Sequence, residues 1–226
     1  MISADLFPAA GVTIGLCAAL LILFIGNRVK PNVRESITVI ASFLMAGSVI
    51  AMIPGVLQGE SFEICLWKIT DGIDLTFKAD GAGMVFALIA SVLWILTSIY
   101  SIGYMRKHHE ANQTGYFAAF AVCLASAMGI AFAANLITFF IFFEMLTIAT
   151  YPLVVHYRDE KAKKAGRKYL AYTLISGQLF FVGILILYGR YGDGTFQPGG
   201  WIESEDMSKA LMLFLFLITI APGMPV

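Results

Sequence analysis

The sequence predicts an all-α, polytopic membrane protein with seven transmembrane helices. Its N-terminus lies outside, and a short outer β-hairpin sits between helices two and three. Three observations predict this. Hydrophobic residues make up 59% of the 226 and charged residues only 13%, and mean hydropathy is +0.81. A soluble domain carries about 25% charge, so this chain cannot clothe a water-facing surface. Apolar runs of helix-spanning length recur along the whole chain, and the basic residues fall in every second loop. The composition excludes a soluble enzyme, a disordered tail and a fibrous protein. The 15 basic residues balance the 15 acidic ones, so no basic surface points to nucleic acid.

The spans follow from a hydrocarbon core about 30 Å thick, which needs roughly 20 apolar residues per helix. Such runs occupy residues 6–25, 36–57, 81–104, 116–134, 136–155 and 169–188, and a seventh runs from 209 to 226. The first run has Asp5 where a signal peptide has basic residues, and no small-residue cleavage site follows it, so it reads as a retained helix. Asn135 marks the tight turn between spans four and five. Residues 1–226 read as one membrane domain, with 58–80 as the outer hairpin loop.

Loop charge sets the orientation. Arg28, Lys30 and Arg34 follow span one, and Arg106 and Lys107 follow span three. Arg158, Lys161, Lys163, Lys164, Arg167 and Lys168 follow span five, so these loops hold 11 of the 15 basic residues. Basic loops stay cytoplasmic, which puts the N-terminus outside and the end of span seven at the cytoplasmic face. In the second loop, Ile73-Asp74-Leu75-Thr76-Phe77-Lys78 alternates strictly, Phe62–Leu66 nearly does, and Asp71-Gly72 between them is a hairpin turn signal. Ser204-Glu205-Asp206-Met207 is either a cap for span seven or plain loop.

Among the charges, Glu144 alone reads as deep in a span. It lies eight residues past Leu136, about 12 Å along the axis at 1.5 Å per residue. A carboxylate there is costly and is by default a functional hypothesis that needs a partner. Low dielectric favours its neutral form and a nearby lysine the ionised one, so a group balanced between them can load and release a proton. Thr147 and Tyr151, one and two turns on, extend a polar stripe at helical spacing. The alternative is a protonated Glu144 that only hydrogen-bonds a neighbouring helix. Asp80, at the mouth of span three, either feeds a proton path or ends the hairpin. His108 and His109 either shuttle protons or form a solvated loop. The Lys161–Lys168 cluster either binds anionic lipid or a soluble partner, or serves topology alone. Cys17, Cys65 and Cys123 form no disulfide or metal pattern, and no nucleotide, iron–sulfur or haem motif is present, so no cofactor is expected in this chain.

Tyr100-Ser101-Ile102-Gly103-Tyr104-Met105, then Asn135-Leu136, then Phe142-Phe143-Glu144-Met145-Leu146-Thr147 resemble the antiporter-like membrane subunits. These occur in Mrp-type cation/proton antiporters, membrane-bound hydrogenases and the membrane arm of respiratory complex I. Ala79-Asp80-Gly81-Ala82-Gly83-Met84 resembles the same family, and Ala149-Thr150-Tyr151-Pro152-Leu153-Val154 leans toward its Mrp D-type and hydrogenase branch. The resemblance implies a multi-pass subunit of a multi-subunit proton- or sodium-translocating complex in the cytoplasmic (inner) membrane of a prokaryote, with Glu144 as the fifth-helix glutamate of its proton path. It also implies about fourteen helices and a seventh-helix lysine paired with that glutamate. Here the seventh run ends Ile218-Thr219-Ile220-Ala221-Pro222-Gly223-Met224-Pro225-Val226, without lysine. Two expectations follow: other integral membrane subunits, including a chain that supplies the second half, complete the site; or the chain is a non-conducting scaffold.

Overall fold

The computed structural model describes residues 4–70, 73–192, 194–196 and 208–220. After a short 3₁₀ turn come α1 (Phe7–Ile25), α2 (Pro31–Leu57), β1 (Phe62–Thr70), β2 (Ile73–Ala79), α3 (Gly81–Lys107), α4 (Gln113–Ala131), α5 (Leu136–Val154), α6 (Glu160–Tyr191) and α7 (Lys209–Ile220). Helices α1 to α6 are long and apolar enough to cross a membrane, and the described part of α7 has 12 residues. The expected Asp71-Gly72 turn, the cap at 204–207 and the end of span seven at 221–226 lie outside the described residues.

Local chemistry sets the helix ends. Pro8 and Pro31 stand in first turns, where the missing N–H costs nothing. Asp80, Asn135 and Asp159 cap α3, α5 and α6 by accepting from the backbone N–H of Gly83, Thr138 and Ala162 at 2.7, 2.8 and 2.6 Å. Gly192, at φ +73°, ends α6 in the left-handed conformation.

Helix α4 is the centre of the packing, in contact with α1, α3 and α5, and α2 closes the group against α1 and α3. Small residues let backbones approach where no hydrophobic force acts between helices in lipid. A Cβ at Gly15 of α1 would lie 2.8 Å from the Ala125 Cβ of α4. Trp94, Phe117, Met45, Met52 and Met128 fill the interior. Helix α6 leans on α5, and α7 on α6, so this side of the bundle is thinly covered. In the most apolar window of α6 22% of residues are buried, against 56% for α4.

The hairpin forms as expected but runs longer, with register shifts between Cys65 and Trp67 and between Lys68 and Thr70. It lies over the helix ends with one face in the core. Phe77 is fully buried, its ring 5.3 Å from that of Phe142.

Spans two and six are longer than the apolar runs suggest. Helix α2 begins at Pro31 and not at residue 36, so Arg34 and Glu35 stand within its first two turns, 8% and 4% exposed. Glu144 is therefore not the sole charged residue shielded within a helix. Glu35 pairs with Arg106 of α3, and Arg34 donates to Gln113 Oε1 at 2.6 Å and Thr114 Oγ1 at 3.3 Å. These bonds engage the Glu35 carboxylate and both terminal nitrogens of Arg34, as burial requires, while the buried Arg34 Nε has no partner among the described residues. Helix α6 starts at Glu160, so the lysine cluster forms its first turns.

Candidate functional site

The position of Glu144 is set from the hairpin. Asn135 caps α5 with its carbonyl oxygen, and its amide donates to the Asp74 backbone oxygen at 3.1 Å and to Asp74 Oδ1 at 2.5 Å. Thr138 Oγ1 accepts from Thr76 N–H at 3.1 Å and donates to Asp74 O at 3.3 Å. The turn between α4 and α5 thus runs alongside β2, bonded by Lys78 N–H to Phe132 O and Ala134 N–H to Thr76 O. Its other edge takes Leu136 N–H to Gly194 O and Phe196 N–H to Ala134 O. These bonds fix the start of α5, and eight residues of helix put Glu144 about 12 Å further on, near the middle of a 19-residue span.

There the carboxyl group faces α6. A Cβ at Gly177 would overlap Glu144 Oε1 and would lie 2.8 Å from Cδ. Only glycine lets α6 come this close. Oε1 is shielded from solvent and has no hydrogen-bond partner among the described residues. On the side toward α4, the half-buried residue lines an apolar depression of about 450 Å³ with Val122, Phe140, Ile141, Met145, Ile148 and Ala149. An ionised carboxylate in such a place needs a cation or a chain of polar groups to reach it.

The other expected residues are placed as follows. Thr147 is buried, but its hydroxyl donates to Phe143 O of its own helix at 3.1 Å. The Tyr151 ring lies beside Gly166, on the face of α5 that meets α6, so Tyr151 and Glu144 share that face. Thr150, not singled out in the sequence, reaches Tyr169 of α6, oxygen to oxygen at 2.7 Å. Asp80 is exposed and caps α3. His108 and His109 are exposed at the other end of that helix, whose 27 residues span about 40 Å. Asp80 and the histidines therefore cannot form one site. Among the described residues, no three His, Cys, Asp or Glu side chains cluster as a metal site.

Sequence reasoning missed the Arg34–Glu35–Arg106 network, although Arg34-Glu35 directly abuts an apolar run. It also missed Glu110 and His156, which pair across 46 residues of chain, Oε2 to Nε2 at 3.6 Å. Nothing local announces that contact.

A family model described as "NADH:quinone oxidoreductase/Mrp antiporter, TM" matches residues 133–226. A second, "NADH-Ubiquinone oxidoreductase (complex I), chain 5 N-terminus", matches 67–117. The chain belongs to this family of antiporter-like membrane subunits, shared by Mrp antiporters and complex I. It is 28% identical over 150 residues to an Na⁺/H⁺ antiporter subunit of Alkalihalophilus pseudofirmus, matching 66% of this chain and 18% of that one. It is 30% identical over 149 residues to the NAD(P)H-quinone oxidoreductase subunit 2 of Acaryochloris marina, matching 64% of this chain and 28% of that one. The chain thus spans less than a third of either relative's length. Neither relative is of the D type, toward which residues 149–154 lean. In fold it is similar to a chain of the membrane-bound sulfane sulfur reductase, an archaeal respiratory membrane complex. The TM-score is 0.78 at 18% identity, over 95% of this chain and 43% of that one.

Proposed function

We propose that this chain is part of a multi-subunit complex that moves protons, Na⁺ or both across a prokaryotic cytoplasmic membrane, and that Glu144 loads and releases a proton. The observation that carries this reading is a mid-span carboxyl group with one shielded oxygen unpaired, placed by capping bonds and walled by a glycine. Its counter-cation is a lysine on a different chain, and the thinly covered α5 to α7 side is where other membrane helices would pack. Tyr151 continues the polar face toward the basic-loop end, which the charge bias makes cytoplasmic. Thr147 supports the helix through its bond to Phe143. Cofactor chemistry, where such a complex has any, resides in partner subunits. The names of the relatives, an Na⁺/H⁺ antiporter and a quinone oxidoreductase, support this class of work.

The second reading is a non-conducting scaffold with Glu144 permanently neutral. The lack of a cation beside Glu144 among the described residues favours it. Glu144→Gln separates the two, since glutamine keeps size and hydrogen bonding but cannot titrate. In inverted vesicles carrying the assembled complex, the proton-carrier reading predicts loss of ΔpH formation or Na⁺ uptake with assembly intact. Wild-type transport by the Gln variant would leave the scaffold reading standing. Glu144→Ala should impair assembly as well, because a partner lysine would be left unpaired.

A further inference from the structure

A second titratable pair lies at the end of the bundle away from the hairpin. Glu110 sits between α3 and α4, and His156 just beyond α5. Their side chains are 15% and 12% exposed, so solvent reaches the pair without flooding it. Both are held from behind. Glu110 N–H donates to Met105 O at 3.1 Å, its carbonyl accepts from Gln113 Nε2 at 3.1 Å, and His156 N–H donates to Leu153 O at 3.3 Å. The imidazole meets Tyr116 of α4 edge-on at 5.7 Å and Tyr157 at 5.8 Å. The Tyr116 hydroxyl is 3.2 Å from Ser101 Oγ of α3. Arg106 is engaged with Glu35 and Asn32, and Arg34 with Gln113 and Thr114, while Arg158, two residues past His156, is exposed.

We propose that Glu110 and His156 form a proton-loading site at the basic-loop end of α5, distinct from Glu144 and supplying it. This rests on the proton-carrier reading of Glu144. Histidine is the side chain whose ordinary titration falls between pH 5 and 8. A carboxylate oxygen 3.6 Å from Nε2 can balance an imidazolium when one forms, and the limited exposure of both side chains keeps the pair within reach of water. Loading is a simple transfer: hydronium gives a proton to the free imidazole nitrogen and becomes water, and the imidazolium formed is balanced by the Glu110 carboxylate. His156 follows Glu144 by 12 residues on one continuous stretch, about 18 Å if measured as helix, with Tyr151 between them. The exposed His108 and His109 show no carboxylate partner among the described contacts, which makes them weaker proton-intake groups than this pair.

The test uses the assembled complex with ¹³C-labelled histidine, the His156 signal being the one absent from His156→Gln. Glu110→Gln should move the His156 midpoint to lower pH, because the imidazolium loses its facing carboxylate. In inverted vesicles the same variant should move the alkaline limb of the transport profile to lower pH, since the site then loads only in more acid medium. An unmoved His156 midpoint overturns the pair. A moved midpoint with an unchanged transport profile overturns its role in supplying protons. Glu144→Gln separates the two readings: it should stop transport and leave the His156 midpoint where it is. Transport that persists in that variant refutes the Glu144 reading, and the titration still decides whether Glu110 and His156 act together.

Discussion

Replacing Gly177 by alanine tests whether the close approach of α6 matters to Glu144. The added Cβ would overlap Oε1 and stand 2.8 Å from Cδ and 3.4 Å from Oε2. Carbon–carbon contacts are comfortable at about 3.5–4.0 Å, so the carboxyl group must retreat by about 0.7 Å or more, or α6 must move away. Glu144 is flexible at its far end, so the overpacking cost falls near the low side of the usual 1–3 kcal/mol, about 1 kcal/mol. Alanine in place of a helical glycine returns up to about 1 kcal/mol through backbone propensity. The two nearly cancel, so the thermal midpoint of the assembled complex should hardly change. Transport should fall at least about tenfold, because sub-ångström to ångström displacements of a reacting group are costly. The control is Gly189 on the same helix, where a Cβ meets nothing within 4 Å. Gly189→Ala should leave transport unchanged. Normal transport by Gly177→Ala would refute the claim that this contact positions Glu144.

Three further outcomes follow from the architecture. Native Cys65 is exposed on the hairpin, so a membrane-impermeant maleimide should label it in intact cells, whereas Lys163→Cys should react only after permeabilisation; the reverse pattern would invert the orientation. The chain expressed alone should fail to give a stable, monodisperse species in mild detergent, since the α5 to α7 side lacks cover, and co-expression with its partner subunits should restore one; a well-behaved monomer would contradict the assembly argument. Phe77→Ala removes a fully buried ring against Phe142 and should destabilise the fold by about 3–5 kcal/mol, read as a large fall in the melting temperature of the assembled complex; a fall of a degree or two would show that the hairpin does not belong to the core.

The spans were legible in the sequence because uninterrupted apolar runs leave the chain little choice in a bilayer. The ends of α1 and α5 lie within a residue of the runs. The starts of α2 and α6 did not show, because backbone hydrogen bonding continues past the last apolar residue. Pro31 opens α2 and Asp159 caps α6, and the charges after them then lie on helical turns. The hairpin strands showed through alternation, but their burial did not, since Phe77 looks like any strand residue until Phe142 is placed against it. Glu144 stood out by its isolation. Gly177 could not, because helical periodicity does not say which neighbour a face will meet. Glu110 and His156 are unremarkable in their own loops and meet only because α4 and α5 fold back as a hairpin.

The central claim is that Glu144 changes protonation during turnover. Infrared difference spectroscopy of the assembled complex reads this directly, through the carbonyl stretch of a protonated carboxylic acid. The account predicts a carboxylic-acid band that appears and disappears with an imposed ion gradient in the wild type and is missing from Glu144→Gln. A band that is present in the wild type, missing from the Gln variant and constant under the gradient would mean that Glu144 stays neutral, and would contradict the account.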